Sequence, residues 1–328
     1  MASDYIICVR DVSKKNFVAE PGTTRYLELP EDTWQNTPDN PLNPDQAITR
    51  KDWFQKVMAE AVTGISSTDT TEFGDVLVFI HGYNNDQKIV MQRHRLLKVN
   101  LRSIGYQGAV VSFDWPSSDQ TLNYLADRSN AKATALALVD DAITSFVIYQ
   151  QTNCRINVHL LGHSTGAYVI REAFDDADDR KVISGSNWMA SQILLIGGDV
   201  SSASMSEGNA GAESIYRHCM RLTNYSNPFD SVLKLSNVKR LGLAPRVGRV
   251  GLPADAPSTT VNVDCGDFFQ TLNENNAPLL GTFCHSWHIG NMTFITDLLE
   301  TIYGDKDRNH IQTRLIKSDG SLSLTKAP

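Results

Sequence analysis

The chain has 328 residues, of which 41% are hydrophobic and 20% charged, and its formal net charge at pH 7 is −7. This composition is too apolar for a disordered chain and too poor in glycine and proline for a fibrous repeat. The acidic balance argues against nucleic-acid binding, because that depends on basic side chains that neutralise phosphates. One basic cluster is present and is interpreted as a solvated loop: Lys239, Arg240, Arg246 and Arg249.

The termini and the cysteines suggest a location. No apolar run approaches the roughly 20 residues that a membrane-spanning helix needs, and the run Tyr5–Val9 is too short for the core of a signal peptide. The five cysteines are odd in number, and no two are spaced as in a CxxC or zinc pattern. We therefore expect a cytoplasmic protein without structural disulfides.

The hydrophobic pattern predicts an α/β protein. The first 70 residues are predicted to hold strands at 4–12 and 25–29 and a helix around Trp53 and Val57. Further strands are predicted at 76–80, 109–113, 156–161, 191–196, 220–225 and 260–263. Helices are predicted between them at 87–103, 121–149, 166–174 and 291–303. Strands that are apolar on both faces and alternate with helices indicate a mostly parallel central sheet with helices on both faces.

A serine motif follows one of these strands. Residues Gly162 to Gly166 match G-x-S-x-G, directly after the strand at 156–161 and before a predicted helix. A nucleophilic serine needs such a sharp strand-to-helix turn, and the flanking glycines avoid collisions with the neighbouring strand and helix. A tight turn with an inert serine would give the same letters. The pair His81-Gly82 after an earlier strand, and the aspartates and histidines downstream, favour Ser164 as a nucleophile.

Several segments together resemble the α/β-hydrolase superfamily, from about residue 75 to residue 303. Within it, the chain is similar to a bacterial family of α/β hydrolases of unknown function. The similar segments are FIHGYNN (79–85), SFDWPSS (112–118) with Tyr124, Asp127 and Arg128, LLGHSTGAYV (160–169), SNPFDSVLKLS (226–236) and HSWH (285–288). The resemblance implies an α/β-hydrolase fold in one domain over 1–328: N-terminal strands and helix in 1–70, a catalytic core at 75–303 and a C-terminal tail at 304–328.

The resemblance also implies a catalytic triad in the order Ser, Asp, His. Ser164 matches the nucleophile, Asp230 follows the penultimate strand, and His285 matches the histidine of the family's H-S-aromatic stretch. Two alternatives stay open. Asp199 follows the preceding strand, a position that some α/β hydrolases use, and His288 lies one helical turn beyond His285.

The oxyanion hole is expected to use two backbone N–H groups, from Thr165 after the nucleophile and from Tyr83 in the loop after His81-Gly82. His81 itself is expected to brace that loop. Trp115, Phe229 and Trp287 are predicted to line the substrate pocket. The apolar segment between residues 231 and 259, with Leu241 and Leu243, forms either one wall of an acyl pocket or a loop packed over the sheet edge.

The sequence therefore predicts a serine hydrolase that cleaves carboxylic esters of small molecules through an acyl-enzyme. A thioesterase, a lipase or an amidase with the same triad is the alternative, as is a non-catalytic binding module with a hydrolase fold. No cofactor is expected, because no G-x-G-x-x-G follows a strand, and no metal, because no H-E-x-x-H or Cys/His spacing occurs. The oligomeric state does not follow from the sequence.

Overall fold

A twelve-stranded sheet forms the centre of the computed structural model, which describes residues 3–83, 85–117, 124–150, 154–234, 244–276, 278 and 280–327. The strands within these residues are β1 Ser3–Ser13, β2 Asn16–Pro30, β3 Ala47–Ile48, β4 Val62–Ile65, β5 Glu72–Ile80, β6 Ala109–Asp114, β7 Cys154–His163, β8 Ala190–Ile196, β9 Cys219–Ser226, β10 Thr260–Asp264, β11 Arg314–Ile316 and β12 Leu322–Leu324.

The order of the strands determines which strand ends lie side by side at the edge that holds the candidate site. Across the sheet the strands run β11, β12, β10, β9, β8, β7, β5, β6, β1, β2 and β3, and β4 pairs with β5. From β1 through β6, β5, β7, β8, β9 and β10 to β12, all neighbours are parallel. Only the pairs formed by β2, β3, β4 and β11 are antiparallel among those described. The mostly parallel sheet is thus confirmed, and the carboxyl ends of its parallel strands meet at one edge.

Helices cover the two faces of the sheet. They are α1 Arg50–Ala61, α2 Gln87–Ser103, α3 Tyr124–Ala137, α4 Thr144–Gln150, α5 Thr165–Ala177, α6 Lys181–Ser184 and α7 Ala210–Arg217, followed by Val247–Val250, Gly266–Gln270, Phe283–Ser286 and Met292–Tyr303. Residues 231–234 are also helical. Short 3-10 turns lie at Trp34–Asn36, Pro44–Gln46, Ser202–Met205, Glu274–Asn276 and His288–Gly290.

Strand β5 shows why the sheet is buried on both sides. Val76, Val78 and Ile80 point into one core, together with side chains of α1, α3 and α5. Leu77 and Phe79 point into the opposite core, together with α2 and the helix Met292–Tyr303. Because successive side chains of a strand face opposite sides, a continuous apolar run is what a two-sided core requires.

The long helix predicted at 121–149 is interrupted. Helix α3 passes through a π-helical stretch, Leu138–Ile143, before α4, and residues 121–123 lie outside the described residues. The buried apolar residues continue through this stretch and into α4, at Leu138, Val139, Ala142, Ile143, Phe146 and Val147, so the hydrophobic pattern does not reveal the π-helical turn.

The segment 304–328, expected to be a tail, contributes two strands to the sheet. Strand β12 lies parallel to β10, and β11 is antiparallel to β12. Arg314 of β11 is fixed by the carboxylate of Asp297, to which its Nε and Nη2 donate at 3.0 and 2.7 Å. Both side chains are fully buried. Strands of three residues carry almost no periodic signal, which is why the sequence does not predict them.

This buried pair gives a stability prediction. Replacing Arg314 with methionine leaves the Asp297 carboxylate buried without its cation, so we expect the free energy of unfolding to fall by about 3–5 kcal/mol. The matched control is Lys317→Met, which removes a part-exposed pair with Asp264 and should cost no more than about 1 kcal/mol. Urea unfolding of both variants measures the difference, and equal losses would contradict the structural role given to Arg314.

Candidate active site

Ser164 lies between β7 and α5 with a strained backbone. Its φ is 56° and its ψ −122°, in a region that side chains other than glycine rarely adopt. The turn is fixed by neighbouring strand ends: Ser164 N donates to Ile196 O at 3.0 Å, and Ser164 O accepts from Asp199 N at 3.0 Å. Ser164 is buried except for 8% of its surface. The strained backbone is held by these hydrogen bonds to neighbouring strand ends, and we call this turn the elbow.

Two glycines allow the elbow to pack. A Cβ on Gly82 would lie 2.6 Å from the Cβ of Ser164, and a Cβ on Gly166 would lie 2.2 Å from Ile80 O. Neither glycine has a positive φ, so its role is close approach and not an unusual backbone conformation. The loop after β5 therefore lies directly against Ser164.

His285 and Asp230 form a buried pair beside the elbow. The Nδ1 of His285 donates to the Asp230 carboxylate at 2.6 Å, and the two residues are 6% and 1% exposed. The His285 ring packs on Gly197 at the end of β8, where a Cβ would lie 3.1 Å from the ring. The other Asp230 oxygen accepts from Leu233 N at 3.0 Å. With Nδ1 bound to the carboxylate, Nε2 is the ring nitrogen left to accept a proton.

The two alternative residues have other surroundings. Asp199 is buried and forms an ion pair with Arg246, whose Nε is 3.1 Å away. His288 stacks on Trp287 with ring centroids 4.2 Å apart, and neither of its ring nitrogens has a hydrogen-bond partner among the described residues. Of the candidate carboxylates and histidines, the structure brings together Asp230 and His285.

His81 braces the loop that follows β5. Its Nδ1 donates to Gly82 O at 2.8 Å, and its carbonyl accepts from the Trp115 indole at 2.8 Å. Asn85 closes the same loop, because its amide donates to Gly82 O and Tyr83 O at 2.7 and 3.1 Å. Of the two predicted oxyanion residues, Tyr83 lies in this loop and Thr165 is the first residue of α5.

A buried ion pair between Arg10 and Asp114 contacts the loop that follows β5. Arg10 of β1 donates to both carboxylate oxygens of Asp114 at 3.0 and 2.8 Å, and its Nη2 donates to Asn85 O at 3.3 Å. Burial alone would raise the pKa of Asp114, but the Arg10 charge and the His81 contact outweigh it and hold that pKa well below the usual range. Asp114 is therefore a structural anion at neutral pH.

The predicted pocket residues differ in exposure. Phe229 is 45% exposed, but Trp115 and Trp287 are 0% and 3% exposed. Trp115 stacks on His81 with ring centroids 5.5 Å apart, so its ring is buried beneath the loop, whereas the sequence predicts it on an open pocket wall. The ring of Trp115 is largely apolar and packs in the core, which is why it is not exposed at the pocket.

Several candidate residues lie outside the described residues or have side chains that are not described: Asn84, Ser118, Tyr124, Asp127, Arg128, Lys239, Arg240, Leu241 and Leu243.

Burial determines the charge state of two neighbouring histidines. It lowers the pKa of His288 to about 3, with the His285 charge adding to the effect. Burial, and then the Arg93 charge, lower the pKa of His163 well below its usual value. Both rings are therefore neutral at pH 7, and the unfolded chain takes up a proton at each of them near pH 6.5.

This gives a pH prediction with a defined sign. Between pH 6.5 and 3 the unfolded state binds a proton at His288 that the folded state does not, so stability falls as the pH falls through that window. From pH 7 to pH 5, His288 should account for about 2 kcal/mol of lost unfolding free energy. His288→Gln should remove that part of the loss in urea titrations at the two pH values. Exposed His310→Gln is the control and should keep it; an identical pH response of His288→Gln and wild type would contradict the assignment.

Two negative findings concern the described residues only. No group of three or more histidine, cysteine, aspartate or glutamate side chains among them is arranged to hold a metal ion. None of their helices combines the length and apolar character needed to cross a bilayer.

Comparison with solved structures gives distant matches. They include a cutinase-like protein from Cryptococcus sp. (13% identity, 74% of this chain and 94% of that one, TM-score 0.34). They also include lipase B from Aspergillus fumigatus (12%, 75% and 56%, TM-score 0.39) and esterase B from Lactobacillus rhamnosis (12%, 70% and 75%, TM-score 0.37). Similarity at this level carries no argument about activity. No curated protein matches the sequence.

The sequence itself gives the family. Residues 58–261, more than half of the chain, match the family described as "Alpha/beta hydrolase of unknown function" (DUF900). The matched range contains β5 to β9, the elbow at Ser164 and Asp230, whereas His285 follows it. With its mostly parallel sheet and the serine turn between β7 and α5, the chain belongs to this family of α/β hydrolases.

Proposed function

We propose that the protein is a serine hydrolase that cleaves carboxylic esters of small molecules, with Ser164 as nucleophile, His285 as base and Asp230 as the carboxylate that orients it. One observation carries the proposal. The 2.6 Å contact between His285 Nδ1 and Asp230 lies at the same sheet edge as the strained Ser164. A buried carboxylate that binds Nδ1 holds the imidazole in the tautomer whose Nε2 accepts a proton.

The reaction follows from these groups. Ser164 Oγ attacks the ester carbonyl carbon while His285 Nε2 takes the serine proton. The tetrahedral intermediate then releases the alcohol, which receives that proton, and leaves an acyl-Ser164. Water attacks the acyl carbon, His285 takes a proton from it, and the proton returns to Ser164 as the carboxylic acid departs. Asp230 stabilises the imidazolium formed in each half of the reaction.

The oxyanion is proposed to bind backbone N–H groups of Tyr83 and Thr165. Thr165 is the first residue of α5, and the N–H groups of a first helical turn have no partner within the helix. The contact between Gly82 and Ser164 brings the loop of Tyr83 to the same place. Donors held in place before the reaction are worth several kcal/mol of transition-state stabilisation.

The group that departs separates an esterase, which releases an alcohol, from a thioesterase, which releases a thiol, and from an amidase, which releases an amine; a lipase differs from the proposal in its acyl chain and not in its leaving group. A thioesterase, a lipase and an amidase would use the same three residues. The exposed ring of Phe229 precedes Asp230 directly and stacks at 6.4 Å on Phe269, which favours an apolar acyl group beside the triad.

Hydrolysis of p-nitrophenyl esters with acyl chains from two to twelve carbons tests the proposal. We expect turnover of the esters, with a maximum at one chain length. Thioesters and anilides with the same acyl chains are assayed in parallel, and we expect their turnover to be lower than that of the esters. Turnover of the anilides alone would make the protein an amidase. The absence of turnover on every class, with no labelling by a fluorophosphonate, would favour a non-catalytic binding module.

A further inference from the structure

A buried cation lies behind the proposed nucleophile. Arg93 of α2 is 4% exposed, and its guanidinium contacts neutral groups only among the described residues. It donates to Leu280 O at 2.5 and 3.2 Å, to Ser286 Oγ at 3.1 Å and to His163 Nδ1 at 3.4 Å. Burial lowers the pKa of Arg93 to about 10, so it stays charged at neutral pH. Burying a charge without a counter-ion lowers the stability of the folded protein, so a functional role for Arg93 would explain why the charge is there.

His163 connects this cation to the site. Its Nδ1 accepts from Arg93, and its Nε2 donates to His285 O at 3.1 Å. The rings of His163 and His285 lie 4.8 Å apart. A Cβ on Gly82 would lie 3.1 Å from His163 Nδ1 and 2.6 Å from the Cβ of Ser164. One layer of side chains therefore separates the guanidinium from the serine and from the loop that faces it.

We infer that Arg93 is a positioning residue that acts on the reaction through its charge and through His163. Its uncompensated charge stabilises the negative charge that develops on the substrate oxygen when Ser164 attacks. Its bond to His163 selects the tautomer whose Nε2–H holds the backbone of His285. The inference rests on the proposed function. Because a neutral ester gains this charge only in the transition state, the effect falls on kcat and not on KM.

The first test compares a neutral and a charged replacement. Arg93→Gln should lower kcat per active site about 10- to 100-fold with KM within about threefold of wild type, whereas Arg93→Lys should stay within about fivefold. Titration with a fluorophosphonate gives the concentration of active sites, so that a partly unfolded sample is not mistaken for a slow one. Affinity for a phenylboronic acid, which forms an anionic tetrahedral adduct with serine, should fall in parallel with kcat. An equal loss of kcat in Arg93→Gln and Arg93→Lys, or a change in KM alone, would contradict the role proposed for the charge.

A second pair of variants leaves Arg93 in place. Ser286→Asp puts a carboxylate where a hydroxyl now accepts from Arg93, and Ser286→Asn is its uncharged isostere. Relative to Ser286→Asn, we expect Ser286→Asp to unfold at a higher temperature, because the cation gains a partner, and to have a kcat at least about tenfold lower. Higher stability with the same kcat would show that Arg93 has a structural role only. This pair decides the question if Arg93→Gln does not fold.

Failure of this inference differs from failure of the proposed function. If wild-type protein neither hydrolyses esters nor reacts with the fluorophosphonate, the proposed function is wrong. If wild type does both and Arg93→Gln keeps its kcat, only the role of Arg93 is wrong.

Discussion

Ser164→Ala is expected to lower kcat for ester hydrolysis by a factor on the order of 10³ or more while the fold is retained. The hydroxyl is the atom proposed to attack the carbonyl, and no other group at the elbow replaces it. The alanine keeps the Cβ that already fits at φ 56°, so circular dichroism and the unfolding temperature should match wild type. The rate is measured with the best p-nitrophenyl ester.

Two further serine variants make this result specific. Ser204→Ala removes a hydroxyl that donates to Ser201 O within the turn Ser202–Met205 and should keep kcat within a few-fold. Ser164→Gly relieves the strained backbone, so it should raise the unfolding free energy by about 1 kcal/mol while activity is lost. Full activity in purified Ser164→Ala would exclude Ser164 as the nucleophile.

The second large effect concerns Asp230 and His285, the pair proposed to activate the serine. Asp230→Asn should lower kcat on the order of 10³- to 10⁴-fold, because an amide at the 2.6 Å contact with Nδ1 favours the wrong imidazole tautomer. His285→Ala should be about as damaging, since it removes the proposed base itself. Steady-state kinetics on one ester give both values.

The competing residues are the matched controls for this pair. Asp199→Asn makes the same change of carboxylate to amide but weakens an ion pair with Arg246, so we expect lower stability and a kcat within about tenfold of wild type. His288→Ala leaves a cavity beside Trp287 and should also act through stability. A larger loss of kcat in Asp199→Asn than in Asp230→Asn would reverse the assignment of the carboxylate.

Local patterns account for what the sequence predicts of this fold. Helix α2 begins and ends at the predicted residues, Gln87 and Ser103, because Asp86 caps its start by accepting from Ile89 N and its apolar spacing is regular. The buried strand at 76–80 is a continuous apolar run bounded by His81-Gly82. The elbow at Ser164 is recognisable because a sharp turn between strand and helix restricts the flanking residues to small ones.

Long-range pairing accounts for what the sequence does not predict. Arg93 contacts Leu280, which is 187 residues away, and Arg10 contacts Asp114 at a separation of 104. A single arginine on a helix or strand gives no local signal that its partner is a carbonyl, a histidine or a carboxylate. Strand β2 is likewise longer than predicted. Its residues 19–23 are exposed and lack alternation, so the sequence pattern gives no strand signal there, although Pro21 lies opposite Arg10 of β1.

The candidate site falls between these two cases. Motif and resemblance predict the order of Ser164, Asp230 and His285 but leave two carboxylates and two histidines open. Only the three-dimensional structure distinguishes the two carboxylates, because Asp230 contacts His285 whereas Asp199 forms an ion pair with Arg246. The sequence predicts Trp115 at the pocket because it follows a strand end, but the direction of its ring depends on packing against His81.

Covalent labelling tests the central claim most directly. Wild-type protein is incubated with a fluorophosphonate, digested, and the modified peptide is sequenced by mass spectrometry, with Ser164→Ala and His285→Ala treated in parallel. We predict a single adduct on Ser164, none in Ser164→Ala, and labelling slowed by a factor on the order of 10² or more in His285→Ala. An adduct on another residue, or equally fast labelling of that peptide in wild type and His285→Ala, would contradict a serine nucleophile activated by His285.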